Sequence, residues 1–557
     1  MRTFLSAISL LLVAACATEG SRPVDPAQGC VALKSPIGAS SIGLPTSGAI
    51  IESAELVAAA PLALNPKPLF TPPPSDFLTI PATPEYCKVI GSIAPVDPKA
   101  PPIRFQVNLP SQWNGSALQL GGGGFNGVLI SGLALPPSGR PDKPSPLARG
   151  FVTYGTDSGH QNAPNVPLQA FALNDEALVN FAYASYKKVR DVAVELVKRR
   201  YGSAPKRVYF AGSSEGGREG LTMAQRFPDD YDGIFSRVPV INWVGLQAAG
   251  TRAGIAQMDG GWLDHDKVRL VHTAVLSACD ARDGLVDGIV SDYEGCRQAF
   301  DPSSLLCIGR EPRNCLSAAQ LKAVQAMYSP FTFPFPLANG VTTYPAWGRG
   351  GENAQGTGPV GGWISWQTGN APPALPAGPS SSRAWLYGSG AVEYFFARAP
   401  GYDPRRFDPA ALAPRLREVS ALMDSTDPDL SRFAARGGKL VISEHMADYA
   451  QSPYAGIDYY RSVVARMGQA ATDGFLRLYV TPGADHMGVG APSNVDMLEV
   501  LVDWVEKGRA PDGLVQVAQE PAPPFKVTSS RPMCRYPKYP HYRGSGDARA
   551  AESFECR

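Results

Sequence analysis

Ser214 stands in Gly212-x-Ser214-x-Gly216, straight after a β-branched and aromatic run (207–211) and before a helix-compatible stretch (218–227). Strand, tight turn and helix in that order make a nucleophile elbow. The glycines let two backbones pass closely while the serine sits on a strained turn. Its Oγ is then exposed at a helix N-terminus, where the positive end of the dipole favours developing negative charge. A serine nucleophile needs a base, and the base needs an orienting carboxylate. The chain has six histidines, and His486 lies in Thr481-Pro-Gly-Ala-Asp-His-Met-Gly488, after the strand-like run 476–480. Asp448 follows another strand-like run, 439–443. Asp458 and Asp485 are the other candidate acids. Asp458 falls in a helical pattern, and Asp485 adjoins the base and is badly placed to face its Nδ1. His445 is the competing base, but it precedes Asp448. Glycine-rich chains produce G-x-S-x-G by chance, so the weight rests on Ser214, Asp448 and His486 in that order, each after a strand-like run.

Acyl transfer also needs backbone donors aimed at the oxyanion. One is the N–H of Glu215, the residue after the nucleophile. The other falls to the loop Gly121-Gly-Gly-Gly-Phe-Asn-Gly127, which follows a strand and precedes the elbow. It has no Lys-Ser/Thr ending of the phosphate-binding kind. The elements that must carry these groups are strands in 103–120, a helix over 178–201 with Phe181, Val189, Val192 and Leu196 inward, the elbow strand, and the strands before Asp448 and His486. The expected fold is α/β: an α/β-hydrolase domain with a large inserted lid domain. The organisation read is a signal peptide with lipobox (1–16), an extended N-terminal segment (17–85), the first part of the hydrolase domain (86–240), the lid (241–426), which lacks strand–helix alternation, and the second part of the hydrolase domain (427–557).

The 557 residues exceed one minimal core, and the near-neutral balance of 51 basic and 50 acidic residues leaves no footprint for nucleic acid. Arg2 and the apolar run 5–14 read as an export signal too short to span a bilayer. Val13-Ala-Ala-Cys16 matches a bacterial lipobox, which implies a lipid anchor at Cys16. The expected location is secreted or periplasmic, as a bacterial lipoprotein on the outer membrane. Setting Cys16 aside leaves eight of the nine cysteines for an oxidising compartment. Cys279/Cys296, Cys307/Cys315 and Cys534/Cys556 are near in sequence, which leaves Cys30/Cys87. Spacing by itself does not fix the connectivity.

With these residues in hand, the chain resembles the tannase/feruloyl esterase family from about residue 87 onward, and within it the branch of terephthalate-monoester hydrolases. The stretches that carry the resemblance are the 121–127 loop, Thr156-Asp-Ser-Gly-His160, Ser214-Glu-Gly-Gly-Arg-Glu-Gly220, Gln225-Arg-Phe-Pro228, Tyr231-Asp-Gly-Ile234, Cys279-Asp-Ala-Arg-Asp-Gly-Leu-Val-Asp-Gly-Ile289, Gly437-Gly-Lys-Leu440 and Gly544-Ser-Gly-Asp547. The resemblance implies nucleophile Ser214, acid Asp448, base His486 and oxyanion donors Gly124 and Glu215. It also gives meaning to Asp280, Asp283 and Asp287, hard oxygen donors at a density suited to Ca²⁺. The backbone carbonyls of Leu285 and Ile289 join them by the resemblance, and the implied calcium is structural and remote from the chemistry.

Two departures from the family pattern stand out. Most members pair a Cys before the catalytic Ser with one after the catalytic His. Ser213 and Met487 hold those positions here, so the chain is expected to be a member lacking the active-site disulfide. The branch grips its substrate's carboxylate with a lid Arg, whose matching position is Pro376, and neither Arg nor Lys stands between Arg349 and Arg383. Hydrolysis of the terephthalate monoester is therefore expected to be weak or missing. Trp243, Trp262, Trp347, Trp363, Trp366 and Trp385 lie in the lid, where they either form its core or wall an aromatic acyl pocket, with Trp366 assigned to the pocket. The function expected is a serine-dependent carboxylic ester hydrolase acting through an acyl-enzyme on a small-molecule ester of an aromatic acid, feruloyl, galloyl or benzoate-like. The alternatives are a serine peptidase or amidase, and a non-catalytic surface-anchored binding lipoprotein on a hydrolase scaffold.

Overall fold

The computed structural model describes residues 26–65, 79–308, 313–353, 361–378 and 380–557. The signal and lipobox expectations, Cys16 included, lie outside the described residues. Among the described residues, nine strands form one mixed sheet. They are β1 (Ala49–Val57), β2 (Tyr86–Ile93), β3 (Ile103–Pro110), β4 (Ser116–Leu120), β5 (Val152–Thr156), β6 (Arg207–Ser213), β7 (Gly233–Arg237), β8 (Lys439–His445) and β9 (Leu476–Thr481). Their spatial order is β1-β2-β3-β5-β4-β6-β7-β8-β9. The first three strands and the β3–β5 contact are antiparallel, and every pairing from β5 to β9 is parallel. Parallel strands are covered on both faces, so β4, β5, β7 and β9 are buried along their whole length. β1 arises within the Pro/Ala-rich 17–85 segment and forms the sheet edge, with a register irregularity between Ile51 and Ser53.

Helix α1 (Ser185–Tyr201) follows a π turn (Asn180–Ala184) and ends on Gly202 in the left-handed region at φ 78°. Phe181, Val189, Val192 and Leu196 are all fully buried, as the 3.6-residue period requires. The elbow helix α2 (Glu215–Arg226) leaves β6 directly. The described residues of 241–426 carry the helices α3 (Trp243–Ala256), α4 (His265–Cys279), α5 (Ala318–Tyr328), α6 (Arg383–Ala391) and α7 (Ala413–Met423). The two ends of this stretch meet, for Ser425 N–H donates to the Ile241 carbonyl at 2.9 Å. α8 (Tyr454–Met467) and α9 (Met497–Lys507) return to cover the sheet. The architecture is an α/β-hydrolase sheet with a helical lid inserted after β7.

The expectation of a member lacking the active-site disulfide is corrected to a member carrying four disulfides, Cys30–Cys87, Cys279–Cys296, Cys307–Cys315 and Cys534–Cys556. The chain is thus cross-linked at β2, twice in the lid and near the C-terminus. The bonds mark a protein that matures outside a reducing cytosol. Ser213, at the end of β6, instead accepts at Oγ from Arg237 Nε at the end of neighbouring β7, at 2.9 Å.

Candidate active site

The parallel register brings the carboxyl ends of β6, β7, β8 and β9 to one edge of the sheet. Ser213 pairs with Arg237 across β6 and β7, and His445 with Thr481 across β8 and β9. Loops leaving those ends therefore share one crevice. Ser214 occupies the β6–α2 turn at φ 60°, a region a non-glycine residue rarely enters. The turn is held by Ser214 N–H to the Arg237 carbonyl at 3.0 Å and by Gly216 N–H to the Gly122 carbonyl at 3.1 Å. Only glycine fits beside it. A Cβ on Gly212 would lie 2.1 Å from the Gly216 oxygen, and one on Gly216 would lie 2.7 Å from the Gly122 oxygen.

His486 Nδ1 lies 2.7 Å from Asp448 Oδ2. The other carboxylate oxygen, Oδ1, accepts from the N–H groups of Ala450 (2.7 Å) and Gln451 (3.1 Å). Each oxygen of the buried Asp448 thus has its own partners. The alternative residues are engaged elsewhere. Asp485 Oδ1 accepts from the N–H groups of Met487 and Val489, and burial pushes its carboxyl up to about 6. Asp458 is on α8, ion-paired with Arg461. His445 is enclosed against the Asp485 carbonyl at 2.7 Å, and burial followed by the nearby Arg237 charge holds it down at about 3.

In the glycine loop, the N–H of Gly121 is taken by the Ala211 carbonyl, that of Gly122 by Glu219 Oε2 and that of Gly123 by Asn126 Oδ1. The N–H groups of Gly124 and Glu215 have no partner among the described residues, and both residues border the same cavity as Ser214. The Glu215 side chain points away from it, into a buried pair with Arg218 Nε at 2.7 Å. Burial raises the Glu215 carboxyl to about 7 while Arg218 opposes the shift.

The cavity holds about 620 Å³, enough for a small organic ester. Ser214 and His486 lie in its wall with Gly124, Glu215, Trp366, Tyr387, Tyr449 and Arg383. The Trp366 ring lies 5.8 Å from the His486 ring and 5.6 Å from that of Tyr387. Trp243, Trp347, Trp363 and Trp385 are buried in the lid, and of these Trp243 also reaches the cavity. Pro376 does not border the cavity, whereas Arg383, at the start of α6, does. Arg237, Tyr387, Tyr449 and Gln247 were not legible as site residues, because each reaches the cavity from a different element and no local motif marks it.

The acidic loop lies apart from this cavity. Asp280 accepts from Gly288 N–H at 3.0 Å, Asp283 from Leu285 N–H at 3.2 Å and Asp287 from Ile289 N–H at 3.1 Å. Asp287 also pairs with Arg531 at 2.8 Å. The donor chemistry suits a hard cation. Among the described residues, however, no three His, Cys, Asp or Glu side chains converge closely enough to hold one.

Sheet, elbow and inserted lid together define an α/β-hydrolase. A family model described as "Tannase and feruloyl esterase" matches residues 87–557. The chain is 38% identical over 542 residues to an uncharacterized esterase of Agrobacterium fabrum, covering 94% of this chain and 91% of that protein. It is 35% identical over 523 residues to the mono(2-hydroxyethyl) terephthalate hydrolase of Piscinibacter sakaiensis, covering 85% of each. The crystal structure of feruloyl esterase B from Aspergillus oryzae superposes with a TM-score of 0.73 at 25% identity, covering 92% of this chain and 98% of that one. The chain belongs to the tannase and feruloyl esterase family, and it is a carboxylic ester hydrolase.

Proposed function

We propose that the protein is a serine esterase acting on small esters of aromatic acids. Ser214 Oγ attacks the ester carbonyl as His486 Nε2 takes its proton. Asp448 accepts from His486 Nδ1–H and stabilises the imidazolium. The N–H groups of Gly124 and Glu215 receive the oxyanion. The alcohol departs with the proton from His486, and water then releases the acid from the acyl-enzyme by the same route. The observation that carries this reading is the 2.7 Å His486–Asp448 contact in the wall that Ser214 shares. Trp366 beside His486, with Tyr449 and Tyr387, supports a flat aromatic group. Two relatives, a feruloyl esterase and a mono(2-hydroxyethyl) terephthalate hydrolase, support the same reading. Arg383 in the cavity wall keeps a carboxylate-bearing substrate as the second reading.

The test is a panel of p-nitrophenyl acetate, methyl ferulate, methyl gallate and the terephthalate monoester, with wild type beside Ser214→Ala. Turnover that disappears in the folded variant is the expected result. Turnover that persists in Ser214→Ala refutes the mechanism. We further propose a structural Ca²⁺ held by Asp280, Asp283 and Asp287 with the Leu285 and Ile289 carbonyls, remote from the chemistry. Binding would draw Asp280 and Asp287 off the N–H groups and the Arg531 they now contact. Export with lipid anchoring at Cys16 completes the proposal.

A further inference from the structure

One polar side chain in the cavity wall has no part in the chemistry above. Gln247 lies on the first turns of α3, only 5% exposed, and it borders the cavity. Its side-chain amide makes no hydrogen bond among the described residues. The fold engages at least one side-chain atom of several other buried glutamines, though Gln257 Oε1 and Gln367 Oε1 have no partner among the described residues. Gln257 Nε2 donates to the Gln367 carbonyl at 2.6 Å, Gln367 Nε2 to the Tyr449 carbonyl at 2.8 Å, and Gln119 Oε1 accepts from the Tyr231 hydroxyl at 2.5 Å. Gln451, another lining residue, also has an unpartnered amide among the described residues, but both its polar atoms are sealed inside the protein. The Gln247 amide is not sealed in this way.

The amide opens to the cavity, so a group inside the cavity, water or a substrate atom that displaces it, completes its hydrogen bonds. Its position is fixed by close helix packing. A Cβ on Gly388 of α6 would lie 2.9 Å from the Gln247 carbonyl oxygen, which itself accepts from Thr251 Oγ1 at 2.8 Å. The lid lines the cavity with apolar Trp243, Leu246, Ile364 and Trp366 and with polar Asn370, Ser381, Arg383 and Tyr387. A carboxamide both donates and accepts, and so does a hydroxyl. A neutral hydroxyl is therefore its match.

We propose that Gln247 is a specificity-determining residue that binds a hydroxyl group carried by the substrate, on its acid or its alcohol half. The inference rests on the esterase reading of the same cavity. The full chain would be assayed on two matched pairs. Methyl para-hydroxybenzoate against methyl benzoate probes the acid half, and 2-hydroxyethyl benzoate against ethyl benzoate the alcohol half. The readout is the ratio of kcat/KM within each pair, for wild type and Gln247→Leu. Wild type is expected to favour the hydroxylated member of one pair, and Gln247→Leu to cut that preference about tenfold, the scale of one hydrogen bond to a buried group. The pair that responds identifies which half of the substrate Gln247 contacts. Unchanged ratios in both pairs overturn the proposal. So does an equal fall for both members of each pair, which assigns Gln247 to packing. Gln247→Met, closer in shape, repeats the measurement if the leucine variant does not fold. Because only ratios are read, the outcome is separate from the Ser214→Ala test of the chemistry.

Discussion

Asp448→Asn is the substitution whose effect the geometry determines most sharply. The carboxylate has two sets of partners. Oδ1 accepts from Ala450 and Gln451 N–H, and Oδ2 faces His486 Nδ1 at 2.7 Å. An asparagine of the same shape has one acceptor oxygen and one donor NH₂. Two fixed backbone donors require the oxygen on their side, so the NH₂ must face His486. The ring nitrogen there then has to accept, and the proton moves to Nε2. His486 can no longer take a proton from Ser214, although no contact is lost. Where a triad carboxylate has been neutralised with geometry intact, kcat falls about 10⁴-fold, or roughly 5.5 kcal/mol of barrier. Stability should barely change, because all three hydrogen bonds are kept with one reversed.

Asp448→Ala makes the control, since it strands those buried groups at about 1–3 kcal/mol each and should lower stability clearly. The assays are p-nitrophenyl acetate turnover at neutral pH, urea unfolding, and ¹⁵N-resolved imidazole spectra to read the His486 tautomer. A folded Asp448→Asn that keeps more than about a tenth of wild-type kcat would refute the reasoning, because the loss it entails is about 10⁴-fold. A ring proton remaining on Nδ1 would refute it as well.

Two further outcomes follow from buried acids elsewhere. Glu444 is enclosed with neither oxygen partnered among the described residues, and desolvation, followed by repulsion from Asp448, holds it well above its ordinary 4.5. The folded protein thus keeps a proton that the unfolded chain releases above about 4.5, so this group's contribution is full below that pH and drains as pH rises. Glu444→Gln, neutral throughout, should gain on wild type in urea midpoint from pH 5 towards pH 8, by at most about 1.4 kcal/mol per pH unit. Parallel curves would dismiss the argument. For the acidic loop, Ca²⁺ at about a hundred times its Kd should add about 2.7 kcal/mol and chelation should remove it. Asp283→Asn should blunt that response, and a melting temperature indifferent to both calcium and chelator would exclude the site.

The parts of this molecule legible in the sequence are those whose physics is local. Gly212 and Gly216 are demanded by a turn a few residues long, and the Val189, Val192 and Leu196 stripe by one helical period. Asp448 and His486 could be placed because each follows a strand whose end the fold fixes. β1 escaped because its segment is rich in proline and alanine, and its inward Ala49, Ile51 and Ala54 are buried in the same core as Val189, Val192 and Leu196 of α1. The acidic loop shows the opposite case: its donor types were plain, but backbone N–H groups and Arg531 now compete for the same oxygens.

Arg218 shows why the lid could not be read from periodicity. Its guanidinium is fully buried, and besides Glu215 it donates to the carbonyls of Phe181, Ala182 and Met423. One charge thereby ties the elbow helix to the π turn before α1 and to the end of the lid helix α7. A buried ion pair is a poor source of net stability, but its geometry is exacting, since removing either partner strands the other. That exactness has a use here. The backbone N–H of Glu215 is a proposed oxyanion donor, and the carboxylate of the same residue is held from behind by Arg218. Lid and elbow are therefore fixed to each other through the residue whose amide must not move during the reaction. The contacts responsible are spread over residues 181–423, which is why no window of sequence displays them.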